Sequence, residues 1–316
     1  MKAIVIDHFG GAEQMHMMDM PVPIPRKTEV LIEIHYTSVN PVDWKIRSGA
    51  FKDMLPHRFP LILGWDAAGI VGALGPEARQ LHVGDNVYAY CRKPEVQSGT
   101  YTEYVAVPEE YVALMPRNMG FREAAAIPLS GLTAWQGLFD VAKIKRPEVI
   151  LIHGGAGGVG SLAIQLAKAA GTRVLTTATA RHHPYLTSIG ADEVIDYSKE
   201  NFVETIRRRY PEGIDVVFDL VGGDSNPYFL VLRPGGRLVS SVERPNPKKA
   251  AQYGVQAESL FVRPDGKQLA EITSLIEEGK IQSPKTQEFS LEDAPKAHEL
   301  SESHHVEGKL VVKVRD

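Results

Sequence analysis

The chain has 316 residues, about twice a typical domain, so two domains are expected. It is 43% hydrophobic and 23% charged, an ordinary globular composition, and its formal net charge of −4 argues against a nucleic-acid footprint, which needs a clustered basic face. No apolar run approaches the ~20 residues that span a bilayer, and the single cysteine, Cys91, excludes an intrachain disulfide or a multi-thiolate metal site.

The N-terminal stretch MKAIVIDHFGG carries one lysine and a short apolar patch ended by Asp7. That is too short for a signal-peptide core and reads as a first β-strand, so a cytoplasmic protein is expected, without membrane or nucleic-acid partners. Residues 1 to about 122 are turn-rich. In TEVLIEIHYTSV (28–39), Val30, Ile32 and Ile34 alternate with Leu31, Glu33 and His35, the period of a strand with one well-buried face. AGIVGALG (68–75), GDNVYAY (84–90) and YTEYVAVP (101–108) are further short strands bounded by turn residues, and their close spacing suggests a small barrel.

After Pro116 the texture changes. REAAAIPLSGLTAWQGLFDVA reads as helix interrupted at Pro128, and apolar runs then alternate with helix-length segments: VILIH (149–153), RVLTTA (173–178), EVIDY (193–197), DVVFDLVG (215–222), RLVSS (237–241) and ESLFV (258–262). Continuous apolar strands separated by helices require a parallel sheet covered on both faces, and six of them match a doubly wound dinucleotide-binding domain. The basic run Arg207-Arg208-Arg209 falls in a polar helical stretch and reads as solvated surface. The tail returns to mixed texture, with helices near 267–278 and 291–302 and a closing strand GKLVVKV (308–314). Folding back of this tail makes residues 1–122 and 267–316 one domain, with 123–266 inserted as the nucleotide domain.

Within GGAGGVG, residues Gly155, Gly157 and Gly160 satisfy G-x-G-x-x-G, with Gly158 and Val159 inside the turn. Alone the pattern is weak, since glycine clusters also mark ordinary turns. Here an apolar strand precedes it, and Val159, Leu162, Ala163, Leu166 and Ala167 follow at helical spacing. A tight strand-to-helix turn, a close backbone approach to a pyrophosphate and close helix–sheet packing each need one glycine, and the phosphates would rest on the helix N-terminus. No Gly-Lys-Ser/Thr follows, which excludes a P-loop. Between Gly160 and Asp192 there is no acidic residue to bind a ribose 2′-hydroxyl; the second strand instead ends in Thr176-Thr177-Ala178-Thr179-Ala180-Arg181. Arginine with hydroxyls suits a 2′-phosphate, which points to NADP; the alternative is that Arg181 simply opens a solvated helix.

The segments NPVDWKIRSG (40–49), GWDAAGIV (64–71), VGDNVYA (83–89), GTYTEYVAVP (99–108), AAIPLSGLTAW (125–135), GGAGGVG (154–160) and GKLVVKV occur in an order that resembles the medium-chain dehydrogenase/reductase superfamily, specifically its zinc-independent quinone oxidoreductase branch. The resemblance runs essentially end to end. It implies a GroES-like, mostly β catalytic domain interrupted by a Rossmann NADP-binding domain with a six-stranded parallel sheet. NPVDWK also resembles the subgroup that reduces the double bond of enones. Zinc-dependent relatives carry a Cys near Asn40–Asp43 and Gly-His-Glu where this chain has Gly64-Trp65-Asp66, so both ligands are missing and no zinc is expected. The pairs His182-His183 and His304-His305, among 11 histidines, lack the i, i+4 spacing of a dedicated metal site.

Without a metal to stabilise an alkoxide, the accessible task is hydride delivery from NADPH to an acceptor that is already electrophilic, a quinone or an α,β-unsaturated carbonyl. One- or two-electron transfer is left open. In the loop that the family places beside the nicotinamide, Asn40 is a candidate donor to a carboxamide or substrate oxygen, or a turn residue before Pro41. Asp43, the candidate general base of this loop, is read instead as orienting the loop or capping the next helix, and Lys45 as a cation able to polarise an enone oxygen, or a solvated helix lysine. Tyr101 and Tyr104 are candidate phenol donors or strand-face core; Trp65 walls the pocket or packs in the core. The resemblance further implies Thr133 near the nicotinamide phosphate, Gly157, Gly158 and Val159 at the pyrophosphate, and Thr177 and Arg181 at the 2′-phosphate. It also implies Tyr197 at the adenine, Leu220-Val221-Gly222 facing the ribose and nicotinamide side, and Ser240 with Phe261 and Val262 beside the nicotinamide. Relatives pair edge strands into a homodimer, for which ESLFV is the candidate edge. Two other readings share the scaffold: a reductase of acyl thioesters, and an NADPH-binding redox sensor that turns over no acceptor.

Overall fold

The computed structural model describes residues 1–304 and 306–315, so His305 lies outside the described residues. The chain divides into two compact units. One comprises Met1–Leu132, Arg263–Glu278 and Ser283–Asp316, the other Thr133–Val262 and Gly279–Gln282.

In the first unit a seven-stranded sheet is centred on the long strand Glu29–Val39, which is flanked by Asp66–Leu74 on one side and by Lys309–Lys313 on the other. The alternation in the sequence is realised: Val30, Ile32 and Ile34 are fully buried and pack with Val71, Val87, Val105 and Val107. The strand Tyr104–Pro108 also pairs with Glu29–Val39, antiparallel. A smaller four-stranded sheet contains Lys2–Ile6, as the N-terminal apolar patch suggests. The closing strand Lys309–Lys313 runs antiparallel to Glu29–Val39, so both ends of the chain complete this unit. Residues 123–132, read from texture as the start of the nucleotide domain, belong here instead. Ala124, Ala125, Ala126 and Ile127 are fully buried, and the Leu129 amide is tied to a carboxylate of the sheet, Asp66.

The second unit holds six parallel strands: Val149–His153, Arg173–Thr177, Glu193–Ile195, Ile214–Asp219, Leu232–Ser240 and Gln256–Ser259. Counted along the chain, their spatial order is 3-2-1-4-5-6, that of a doubly wound dinucleotide-binding sheet, with its crevice at the carboxyl ends of the first and fourth strands. The last strand begins two residues before ESLFV and ends at Ser259, with one more backbone bond from the Leu260 amide to Ser240, so Phe261 and Val262 lie beyond the pairing. No helix among the described residues is long and apolar enough to cross a membrane.

Candidate functional site

The glycine loop separates its glycines by physical cause. Gly154 turns the chain out of the first strand at φ +94°, a left-handed conformation that favours glycine. A Cβ on Gly155 would lie 2.1 Å from Thr176 Oγ1, and one on Gly160 would lie 2.3 Å from the Gly154 carbonyl oxygen. Those two let strand and helix close on each other. Gly157 differs: it caps the helix Gly158–Ala169 in extended conformation, and a Cβ there would meet nothing within 4 Å. That space lies at a helix N-terminus with no acidic residue in its first turn, where the first N–H groups have no intrahelical acceptor. A pyrophosphate fits such a cradle by charge and by room.

Beside it, Thr177 is turned inward. Its Oγ1 accepts from the Gly154 amide at 3.1 Å and lies 2.9 Å from His153 Nδ1, with the residue 1% exposed. The hydroxyl therefore shapes the loop beside the cradle. Arg181 is exposed in the turn Ala180–His182, its Nε directed at His182 Nε2 (2.8 Å). His182 is buried, and neither it nor His183 lies in a strand. Tyr197 is exposed, and Thr133 is buried within the helix Pro128–Trp135.

At the end of the fourth strand the organising residue is Asp219, which the sequence reading passed over. Its Oδ1 accepts from the amides of Val221 and Gly222, each at 3.0 Å, and from the Tyr228 hydroxyl at 2.9 Å. Its Oδ2 accepts from Ser240 Oγ at 2.8 Å. Burial and this carboxylate raise the Tyr228 phenol above its ordinary range. The turn Leu220-Val221-Gly222 is thus held open at the crevice with Val221 59% exposed, while Ser240, expected beside a ligand, is buried and braces Asp219 from behind. An aspartate closing the apolar run Val216-Val217-Phe218 was the available signal. Burial lowers the His153 imidazole, which packs against the rings of Phe202 and Tyr228. Phe261 is 54% exposed and Val262 half-buried.

In the first unit the structure gathers Asn40, Asp43 and Tyr101 into a buried polar network with residues the sequence did not single out. Asp66 is fully buried and accepts from Ser38 Oγ (2.6 Å), Asn40 Nδ2 (2.7 Å), the Leu129 amide (2.7 Å) and Lys309 Nζ (3.4 Å). Lys309 also donates to Asn40 Oδ1 (2.5 Å) and to the Val39 carbonyl (3.0 Å); burial lowers its amine while Asp66 and Asp43 oppose that. Asn40 is 2% exposed with both ends of its amide engaged, so it links Asp66 to Lys309.

Asp43, three residues into the helix Pro41–Arg47, accepts the Asn40 amide on Oδ2 at 2.7 Å, as a helix-start carboxylate does. Tyr101 Oη donates to the same oxygen at 3.0 Å and lies 3.0 Å from His298 Nε2. Burial, against the pull of the Asn40 amide and Lys309, pushes the Asp43 carboxyl up to about 7. Burial and the neighbouring Arg47 push His298 down to about 3, and Tyr101 stands well above the ordinary phenol range. Tyr101 is fully buried, the core alternative of its two readings. Tyr104 stands apart on its strand, opposite Glu33, with the Arg315 guanidinium 4.8 Å over its ring. Trp65 is buried beside Tyr90 and under Arg92, a core position. Lys45 is half-buried, its Nζ 5.5 Å from the Trp44 ring centre. No group of three or more His, Cys, Asp or Glu among the described residues is arranged to hold a metal ion.

Residues 26–117 match the family model for the alcohol dehydrogenase GroES-like domain, and residues 189–312 match that for a zinc-binding dehydrogenase. The chloroplast envelope quinone oxidoreductase homolog of Arabidopsis thaliana is 33% identical over 96% of this chain and 95% of its own length. An NADPH-dependent alkenal/one oxidoreductase of the same plant is 34% identical over 99% of this chain and 79% of its own length. The crystal structure of the Escherichia coli quinone oxidoreductase complexed with NADPH superposes with a TM-score of 0.88 at 29% identity, over 99% of this chain and 100% of that one. With full-length relatives and a shared two-unit fold, the chain belongs to the quinone oxidoreductase branch of the medium-chain dehydrogenase/reductase superfamily.

Proposed function

We propose that the chain is a zinc-independent, NADPH-dependent reductase of quinones. The observation that carries the acceptor class is Asp66, whose carboxylate is already met by the Lys309 ammonium and three further donors. Where zinc-dependent relatives place a cysteine and a Gly-His-Glu, this chain has Asn40–Asp43 without a cysteine and Gly64-Trp65-Asp66, with Asp66 paired to Lys309. That donor set does not fit a zinc ion. The acceptor must then bring its own electrophilicity, as quinones and enones do by delocalising arriving charge onto their oxygen.

The open backbone at Gly157–Val159 supports a pyrophosphate, and exposed Arg181 supports a 2′-phosphate and hence NADPH over NADH. When bound, a reduced nicotinamide supplies a hydride. For its part, the chain orients both reactants and excludes water, and Lys45 Nζ polarises the acceptor oxygen and passes it a proton. A second reading, reduction of the enone double bond, is favoured by the similarity to the alkenal/one oxidoreductase and can use Lys45 in the same way.

The test is NADPH oxidation with a naphthoquinone, a benzoquinone, an aliphatic enone and an enal, with NADH in parallel and a chelator present or absent. Quinone turnover that ignores chelator and is slow with NADH is expected. Turnover of the enone alone would move the assignment to double-bond reduction. Chelator-sensitive turnover would overturn the zinc-independent reading, and tight NADPH binding without turnover of any acceptor would leave a sensor.

A further inference from the structure

We infer that Tyr101 and His298 are positioning residues that aim Lys45, by clamping the helix Pro41–Arg47 through a closed ring of hydrogen bonds on the face opposite the lysine. The inference rests on the proposed reading of Lys45 as the cation that polarises the acceptor oxygen.

The ring is built as follows. Asp43 and Arg47 are four residues apart, hence on one face of the helix. From Asp43 Oδ2 the ring passes to Tyr101 Oη at 3.0 Å, then to His298 Nε2 at 3.0 Å, and from His298 Nδ1 to Arg47 Nη1 at 3.3 Å. The helix backbone closes it. Tyr101 is 58 positions from Asp43 and His298 is 251 from Arg47, so the two ends of this helix are fixed by remote parts of the chain bonded to each other. Asp43, Arg47, Tyr101 and His298 are each at most 1% exposed. Arg47 is held further by the Gly10 carbonyl and by Glu302.

Proton positions in the ring are determined. Arg47 can only donate, so His298 Nδ1 accepts. His298 Nε2–H then donates to the Tyr101 oxygen, and the Tyr101 hydroxyl has only Asp43 left to receive it. A second proton on His298 would face the Arg47 cation. The clamp also survives titration of Asp43, because its other oxygen, Oδ1, has no partner among the described residues and can carry the proton while Oδ2 goes on accepting. Tyr90, Lys309 and Asp66 are the other charged or titratable groups that face this carboxyl.

A seven-residue helix is too short to hold itself, and buried apolar contacts such as those of Ile46 would keep it in place at lower desolvation cost. What a directional ring adds is a fixed rotation of the helix about its axis. Lys45, two residues from each anchor, lies half a turn away and takes its direction from that rotation.

The experiment is a double-mutant cycle. Tyr101→Phe and His298→Asn are made alone and in a Lys45→Ala background, with kcat and KM measured for the acceptor and thermal unfolding and NADPH affinity measured beside them. Each single change is expected to lower kcat by about ten- to a hundredfold with NADPH affinity unchanged. In the Lys45→Ala background the same changes should cost less than about twofold, since nothing is left to aim. Full losses that persist without Lys45 would overturn the inference and leave the ring a purely stabilising device. Wild-type kcat in Lys45→Ala alone would instead sink the reading of Lys45, and the inference with it. If Tyr101→Phe does not fold, the cycle is run with His298→Asn and with His298→Gln, which keeps a donor toward Tyr101 and is expected to retain more activity than His298→Asn.

Discussion

Asp43 and His298, linked through one tyrosine, have opposite consequences for stability against pH. The Asp43 carboxyl is raised to about 7 by burial, so between roughly pH 4 and 7 the folded chain holds a proton that the unfolded chain has released. Its contribution therefore falls as pH rises through that window. His298 is lowered to about 3 by burial and Arg47, so from about pH 6.5 downward the unfolded chain takes up a proton that the folded chain refuses, and stability is lost as pH falls. Each slope is bounded at about 1.4 kcal/mol per pH unit, and between about pH 4 and 6.5 the two oppose each other. Asp43→Asn should make stability rise more steeply with pH across that interval, and His298→Gln should make it rise less steeply. Urea unfolding at several pH values measures both, and parallel profiles for the wild type and Asp43→Asn would refute the assignment. In the sequence only half of this was legible. Asp43 could be read as a helix-start carboxylate because its amide partner is three residues away, whereas His298 reaches Tyr101 across 197 positions and carries no local mark.

Elements differ in how much of their form is local, and the glycine loop is the most local of them. Its function as a strand-to-helix turn was legible because each glycine answers to neighbours within a few residues or to the adjacent strand. The structure now separates glycines that serve packing from the one that leaves room. Gly160→Ala places a Cβ 2.3 Å from a carbonyl oxygen that cannot move alone, and should lower stability by about 1–3 kcal/mol. Gly157→Ala meets nothing within 4 Å and should fold normally, yet weaken NADPH binding about tenfold or more by filling the cradle. Thermal unfolding and a fluorescence titration with NADPH distinguish the two; unchanged affinity in Gly157→Ala would remove the phosphates from that loop. The sixth strand was less legible. Gln256–Ser259 is only intermediate or exposed along its length, so the apolar signal fell on Leu260–Val262, at and just past its end.

Over the whole molecule, the feature least visible in the sequence is the charge pair between Lys309 and Asp66, 243 positions apart. GKLVVKV reads as a strand, and nothing local marks the lysine at its start; in the fold that lysine is 4% exposed and faces Asp66 from across the central strand. Asp66 in turn takes donors from residues 38, 40 and 129, so one carboxylate gathers the central strand, the start of the helix Pro41–Arg47 and the helix Pro128–Trp135. Buried pairs of this kind add little net stability when both members are present, because desolvation offsets attraction, but removing one member strands the other. Lys309→Met keeps length and packing while deleting the ammonium. The Asp66 carboxylate would then keep three neutral donors and no countercharge, and the chain should lose about 3–5 kcal/mol. Urea unfolding with an unchanged m-value is the measurement. A loss under about 1 kcal/mol would mean that Ser38, Asn40 and the Leu129 amide suffice to hold the charge, and that Lys309 serves Asn40 rather than Asp66.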